Sequence, residues 1–537
     1  MRQFHVFAGW FSLLVAIWIQ PVPCEQQGQD TKPGLIPGEV PELVAEANLR
    51  WFESQRGDIF IPEGVYWFSR APRIKSGQRV RGAGMDRTFI RNAYCYSPFG
   101  DNCSLQILQG NNPGYGYADG FFQGPTGRET AIVLKDPSVE VNYQIGGLVF
   151  TWKWDGYADG GQNRTRVRSH RITGKAGGRL TLDSAPDPEA NAINWTVLGV
   201  RIAPVQEKAV KVTCTEKLDY EWKADKLVRV TGGPTVANEM VGEFRRIVSI
   251  ANGVIELDRP LRQSYGTSAS LLLASPVSDA CVSDLTIKAP PHPQGAATYF
   301  SSVHGLTLER VRVEGDFQIT LSSNVRISNC RSTGSICLNG THDADVNECR
   351  CRHAYCEELV FDATFRNTFI SMPLYGGFVS NDWARSERIS LLNVVIEGAI
   401  DTPVWISGRE CLLDNVRVQG SRNTVDYINS YLGGDDFQVR GFRSDLPLVM
   451  RTGLRVSLLS VRPTLYLGWA NGEPPPVGSA VSCPSINTHF LPDAVKAQWA
   501  FAANSAAVAV QSTKPTIGQF IFQKTKLGRI PPPSLAR

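Results

Sequence analysis

CVSDLTIKA (281–289), LTLERVRVEG (306–315), VRISNCRSTG (325–334), ADVNECRCRH (344–353), ISLLNVVIEG (389–398), CLLDNVRVQG (411–420) and FQVRGFRSD (437–445) are seven versions of one pattern. Aligned, they bring Asp284, Arg310, Asn329, Glu348, Asn393, Asn415 and Gly441 into one column, and a weaker copy near Met372 fills the longest gap. The steps are then 26, 19, 19, 24, 21, 22 and 26 residues, about one solenoid coil each. Apolar residues alternate on both sides of a polar kink: Val325 and Ile327 precede Asn329, and Cys330 follows it. Alternation at period two marks a half-buried strand. Asn or Gly at the kink suits a positive φ that turns the strand through a corner. Coils stacked at the inter-strand spacing of roughly 4.8 Å put like residues above one another. Asn329, and Asn393 with Asn415, are then placed to form amide ladders. Cys330 and Cys349 share an inward column and read as buried thiols rather than a disulfide. The pattern predicts an all-β chain, a single-stranded right-handed parallel β-helix. The segments are too β-branched for a leucine-rich solenoid, and the period is too short for a propeller.

Toward the N-terminus, Gly57 to Asn92 reads GDIFIPEGVYWFSRAPRIKSGQRVRGAGMDRTFIRN. It divides into the short strands IFIP, VYWFS, RIK, QRVRGAG and TFIRN, with Gly or Pro between most of them. This passage resembles the opening rungs of the pectate-lyase superfamily of β-helix proteins. There an IPxGxY strand pair leads to an LKSGVxLxGxG strand. The corresponding residues are Ile61 to Tyr66 and Ile74 to Gly84. The resemblance covers about 35 residues and implies a fold, not a reaction.

Between these parts, 105–275 loses the coil rhythm but stays β-like, and we read it as an all-β insertion. Leu227 to Gly233 reads as strand then turn, and Arg246 to Asp258 as a hairpin about Asn252-Gly253. Gly-Tyr-Ala-Asp-Gly occurs at 116–120 and at 156–160 without a physical account. The full division is a signal peptide (1–24), a linker (25–45), an N-terminal cap with the first rungs (46–104), the insertion (105–275), the main β-helix (276–470), and a C-terminal cap with a disordered tail (471–537). The N-terminal cap includes a short helix, Val40 to Glu53, and the C-terminal one a helix over Asp493 to Ala503.

Arg2 and His5 precede an apolar run from Phe11 to Ile19, followed by Pro21 and Pro23, which predicts a secretory signal cleaved near Cys24. A lipid-bearing Cys24 is the alternative. The run is too short for a stable membrane span. Of 12 cysteines, Cys95 and Cys103 bracket a short loop and are the local disulfide candidates. Asn102, Asn163, Asn194 and Asn339 begin glycosylation sequons. A net charge of +4 over 537 residues, with no long basic run, argues against nucleic acid as the partner. The 49 glycines, 33 prolines and 5 methionines suit turn-rich β structure.

In a solenoid, residues one coil apart in sequence are neighbours in space. Counted from the kink column, Glu358 lies ten residues after Glu348 and Asp382 ten after Met372, while Asp401 and Asp426 lie eight and eleven after Asn393 and Asn415. These four acids are expected to line one edge, with Glu357, Asp362, Asp435 and Asp436 nearby. Catalytic candidates are Asp382, Arg385, Glu358, His353 and Asp401; substrate-binding candidates are Arg352, Tyr355, Arg366, Trp383 and Asp426. A glycoside hydrolase needs an acid and a base carboxylate, about 6.5–9.5 Å apart for inversion. A polysaccharide lyase needs a base such as His353, Tyr355 or Arg385 and a cation for the substrate carboxylate, in some cases Ca²⁺ held by acids. Gly434-Asp435-Asp436 and Asn423-Thr424-Val425-Asp426 only partly match polygalacturonase signatures, and the Gly-His-Gly of those hydrolases is missing. Plain readings compete: Asp435-Asp436, Asp401 and Asp426 as turn residues, His353 as a surface histidine, Arg385 and Glu387 as a solvated ion pair, and Trp152, Trp154 and Tyr157 as aromatic core. The expectation is a secreted, monomeric protein that cleaves an acidic extracellular polysaccharide. The alternative is a non-catalytic glycan-binding or adhesive β-helix.

Overall fold

The computed structural model describes residues 35–38, 41–92, 105–107, 120–123, 129–152, 168–193, 196–232, 242–274, 276–288, 297–357, 360–371, 377–380, 386–399, 403–420, 430–433, 438–444, 448–450, 456–459, 465–467, 480–482 and 500–502. Parallel strands wind through about 13 right-handed turns. Each full coil contributes three strand segments. The coil of Asn329 is representative: Ser323–Ser328 lies on a first face, Arg331–Ser332 on a second beyond the kink, and Ser335–Asn339 on a third. Each segment pairs in parallel with the same segment one coil on, Val325 with Ala344, Arg331 with Arg350 and Ile336 with Ala354.

The kink column has the expected backbone. Asp284, Arg310, Asn329, Glu348, Asn393, Asn415 and Gly441 all have φ between 50 and 62°. One member differs. The copy placed near Met372 is centred on Asn367, φ 51°, five residues earlier. A second column of positive φ sits five residues before the first, at Asp279, Gly305, Asn324, Asp343, Asp362, Arg388 and Glu410. Each first-face strand is thus bent at both ends.

The core is a single apolar column inside the coils, from Leu49 and Phe52 to Val439 and Phe442. Cys330 and Cys349 are free, buried thiols, each bonded to the carbonyl two residues back, Ser328 and Asn347, both at 3.2 Å. The amide ladder of Asn393 and Asn415 extends beyond that pair, while Asn329 is not one of its rungs among the described residues. Asn415 donates to Asn393 at 2.8 Å, Asn393 to Asn367 at 3.3 Å, and Asn367 to Asn347 at 3.0 Å. Asn393→Ala loses two rungs and puts a Cβ residue without local bonding into the left-handed region. It is expected to cost about 1–2 kcal/mol, with Asn393→Gly costing less because its backbone is unstrained there. Urea unfolding of the pair separates the two contributions.

The helix Pro41–Ser54 covers the N-terminal end of the coils, with Phe52 edge-on to Phe68 at 5.8 Å. IFIP, VYWFS, QRVRGAG and TFIRN contain strands as read. RIK does not; Ile74 is buried without a strand of its own. Gly82 has no room for a side chain, because a Cβ there would run into the Asp284 carbonyl of the next coil. Leu105–Ile107, placed in the insertion by the sequence, pairs with Thr298–Phe300 on the third face. Two all-β units follow: a closed six-stranded barrel from Gly120–Gln123 to Ala192–Ile193, and a six-stranded sheet from Gly199–Arg201 to Ser270–Leu273. The hairpin turns at Asn252 and Gly253, φ 51 and 75°. After this excursion the solenoid resumes in register, with Cys281–Ser283 beside Arg79–Arg81. Ala500–Ala502, read as part of a helix, is a strand beside Ala480–Ser482. The signal, Cys24, Cys95, Cys103, Trp154, Tyr157 and the sequons at Asn102, Asn163 and Asn194 lie outside the described residues. Asn339 is 4% exposed, which leaves no access for a glycan. Trp152 is core, packed with Leu148, Phe150 and Leu272. No helix among the described residues is long and apolar enough to cross a membrane.

Candidate functional site

On the third face, strand alternation buries one side completely. Thr298, Phe300, Phe317, Ile319, Ala354, Cys356, Val404 and Ile406 are inward and fully buried. The residues between them face outward. Register joins Tyr299, Gln318, Cys337, Tyr355, Val379 and Trp405 into one row on the other side of these strands, in which Val379 is itself buried. Three of these six positions are aromatic. Tyr299, Tyr355 and Trp405 are half-buried, and His353 stacks on Tyr355 with ring centroids 5.8 Å apart and planes 20° apart. Arg352 leads into this strand and is also half-buried. Sequence reading found Arg352, His353 and Tyr355 but missed the row. Its signal is an aromatic between two apolar residues, as in Tyr-Phe at 299–300 or Val-Trp-Ile at 404–406.

Arg366 belongs to the first face, where it pairs with Asp345. Glu358, Asp382, Trp383, Arg385, Asp401 and Asp426 lie outside the described residues, as do Asp435 and Asp436. In chain order, Glu358 and Asp382 follow the third-face strands His353–Glu357 and Phe378–Ser380, whereas Asp401 and Asp426 precede Val404–Arg409 and Ser430–Gly433. With the kink at Asn367, Asp382 lies 15 residues on rather than ten. Glu387 pairs with Arg388 and Arg409. Among the described residues, no three His, Cys, Asp or Glu side chains converge as a metal site.

One flank of the third face is walled by the insertion. The first-face strands begin at this corner, and the inserted sheet docks there. Arg262 pairs with Asp343 and Asp362, Arg259 with Asp343 at 3.1 Å, and Glu207 with Arg409 at 3.0 Å. Burial would raise the Asp343 carboxyl, but Arg262 and Arg259 outweigh it and hold it below the usual range. His342, fully buried, donates from Nε2 to the Gly242 carbonyl at 2.7 Å and stacks on Phe361 at 5.1 Å.

Burial pushes His342 down to about 3 and His170, in the barrel, down to about 4, against 6.5 for a free imidazole. Both are neutral when folded and take up protons on unfolding below pH 6.5. Their contribution is complete above 6.5 and is lost as pH falls toward those values. The slope is at most about 1.4 kcal/mol per pH unit for each histidine. Urea midpoints measured from pH 7 to 4 should fall, and His342→Gln should flatten that fall.

No protein-family model matches the chain, and no curated protein matches it. Among solved structures it is similar to the tailspike protein gp49 from Pseudomonas phage LKA1, at 12% identity over 81% of this chain and 75% of that one, TM-score 0.36. It is also similar to the tailspike gp61 of Pseudomonas phage phi297, at 11% identity over 83% and 71%, TM-score 0.37. A third is the Gp54 tailspike of Acinetobacter baumannii bacteriophage AP22, solved with A. baumannii capsular saccharide, at 8% identity over 83% and 72%, TM-score 0.28. The chain is a β-solenoid. That conclusion rests on its own strand registers, which run unbroken from Ile59–Ile61 to Ala500–Ala502.

Proposed function

We propose that this protein is a secreted glycan-handling β-helix that lays a linear polysaccharide along its third face, parallel to the solenoid axis. The observation that carries this reading is the outward row containing Tyr299, Tyr355 and Trp405, with His353 stacked on Tyr355. Aromatic faces accept the C–H faces of sugar rings, and these three stand three and two coils apart, roughly 14 and 10 Å at the inter-strand spacing, along one line. A straight row suits a polymer better than a compact ligand. Membership of the pectate-lyase superfamily, suggested by Gly57 to Asn92, belongs to the same reading.

Cleavage is its finer part. Glu358, Asp382, Arg385, Asp401 and His353 are the proposed catalytic residues, acting on a uronate-containing polymer by hydrolase or lyase chemistry; in the lyase case Ca²⁺ held by the acids would neutralise the substrate carboxylate. The fully non-catalytic binder keeps the same groove. Incubation with a panel of uronate polymers tests this. An unsaturated product absorbing in the ultraviolet reports a lyase, new reducing ends without it report a hydrolase, and binding without either leaves the binder.

Trp405→Ala tests the groove itself. Losing a central stacking side chain should weaken polymer binding by about tenfold or more, measured by affinity electrophoresis in polysaccharide gels. Unchanged mobility would remove the third face from the reading.

A further inference from the structure

The second face carries a row of its own. Register stacks Arg312, Arg331, Arg350, Phe369, Val395, Arg417 and Arg443 outward on seven successive coils. Arg331, Arg350, Arg417 and Arg443 are exposed. Arg312 pairs with Asp86 at 2.8 Å, and the Arg350 guanidinium sits 4.5 Å over the Phe369 ring. Among the described residues, none of Arg331, Arg350, Arg417 and Arg443 belongs to an ion pair. On the first face Arg310, Arg366 and Arg388 are matched to Asp284, Asp345 and Asp362, and the exposed Arg326 stacks between Thr307 and Asp345 rather than on another arginine.

Like charges stacked on adjacent parallel strands repel. On the second face the arginines stand directly above one another on adjacent coils, with no acid between them in the row. We propose that this row is a second polymer track, whose ligand is a polyanionic polysaccharide running along the axis. Three features select that ligand. Guanidinium groups bind carboxylates through paired N–H donors. Arg312, Arg331 and Arg350 recur one coil apart, at roughly 4.8 Å, close to the length of one extended sugar residue. The two apolar positions in the middle, Phe369 and Val395, offer a sugar ring a C–H surface between the charged ends. Arg352 and His353 follow Arg350 directly into the third face, so the two tracks share a corner.

This inference deepens the proposed function by placing recognition of an acidic polymer's charge on the second face, and it rests on separate residues. The test uses the full chain and the Arg331→Gln/Arg350→Gln variant in affinity electrophoresis with polygalacturonate, neutral dextran and single-stranded DNA. The expected result is salt-sensitive binding of polygalacturonate that weakens about tenfold in the variant and loses part of its salt dependence, with an unchanged thermal midpoint. Equal binding of polygalacturonate by both proteins overturns the track. So does binding confined to dextran, which leaves the Trp405 groove standing. Stronger binding of single-stranded DNA than of polygalacturonate, lost in the variant, overturns the assignment in favour of nucleic acid. No binding of any polymer by the intact protein removes both readings.

Discussion

Glu243→Ala is expected to destabilise the inserted sheet by about 3–5 kcal/mol, because it strands a buried charge. Glu243 is fully buried and pairs with Arg245, itself 1% exposed. It also accepts from the Arg262 backbone N–H at 3.0 and 3.1 Å and from the Tyr265 hydroxyl at 2.9 Å. Burial pushes the Glu243 carboxyl up, opposed by Arg245 and these hydrogen bonds. Burial also pushes the Tyr265 phenol well above its usual range, which keeps it a donor. Without the carboxylate, Arg245 retains the Phe244 and Pro260 carbonyls, at 2.6 and 2.7 Å, and no countercharge. The backbone of Arg262 is released as well, and its side chain ties the insertion to Asp343 and Asp362. Hydrogen exchange should therefore show residues 199–273 opening before the coils. Glu243→Gln keeps acceptor geometry and should lose less. A loss under about 1 kcal/mol for the alanine variant would mean the pair is not holding the sheet.

Phe365→Ala should cost about 3–5 kcal/mol for a different reason, a cavity in a column that cannot collapse. Phe365 is fully buried, stacked between Val346 and Leu391 of the adjoining coils, and edge-on to Phe378 at 5.0 Å and 80°. Backbone ladders hold the coil spacing on both sides, so neighbours cannot close the gap. Solenoid stability is a sum of nearest-neighbour interfaces. Loss of exchange protection should centre on 342–370 and the adjoining coil, leaving the N-terminal rungs intact. A uniform loss along the chain would show that the coils unfold as one unit.

The kink column was legible because a polar residue interrupts period-two alternation at near-regular steps. The one misplaced copy has a clear cause. After Asn367 the core position holds Thr368, where other coils hold Cys330, Cys349, Val394 and Val416. Thr368 is buried and bonds the Arg366 carbonyl at 3.0 Å, as Cys330 and Cys349 bond theirs. A polar letter thus stands where the pattern demands an apolar one. The error passed to the acids, since Asp382 was counted from the wrong origin.

The outward row on the third face was illegible for another reason. From the kink to that row the chain takes 15, 8, 8, 7, 12 and 12 residues on successive coils. Corners of varying length scramble any fixed offset, and only inter-strand hydrogen bonding realigns the strands. The second-face row lies within three residues of the kink, yet it looked like scattered surface arginine until the coils were stacked.

The amino-acid sequence by itself determined the winding. Strand alternation and a residue tolerant of positive φ are readable within ten residues, and the step near one coil needs only the next copy of the pattern. Which side chains meet across coils, and where the insertion docks, was decided only by tertiary structure. Arg262 reaches Asp343 and Asp362 across 81 and 100 residues of chain. No short-range pattern encodes such a contact, because its energy exists only once the coils have stacked and water has left the seam.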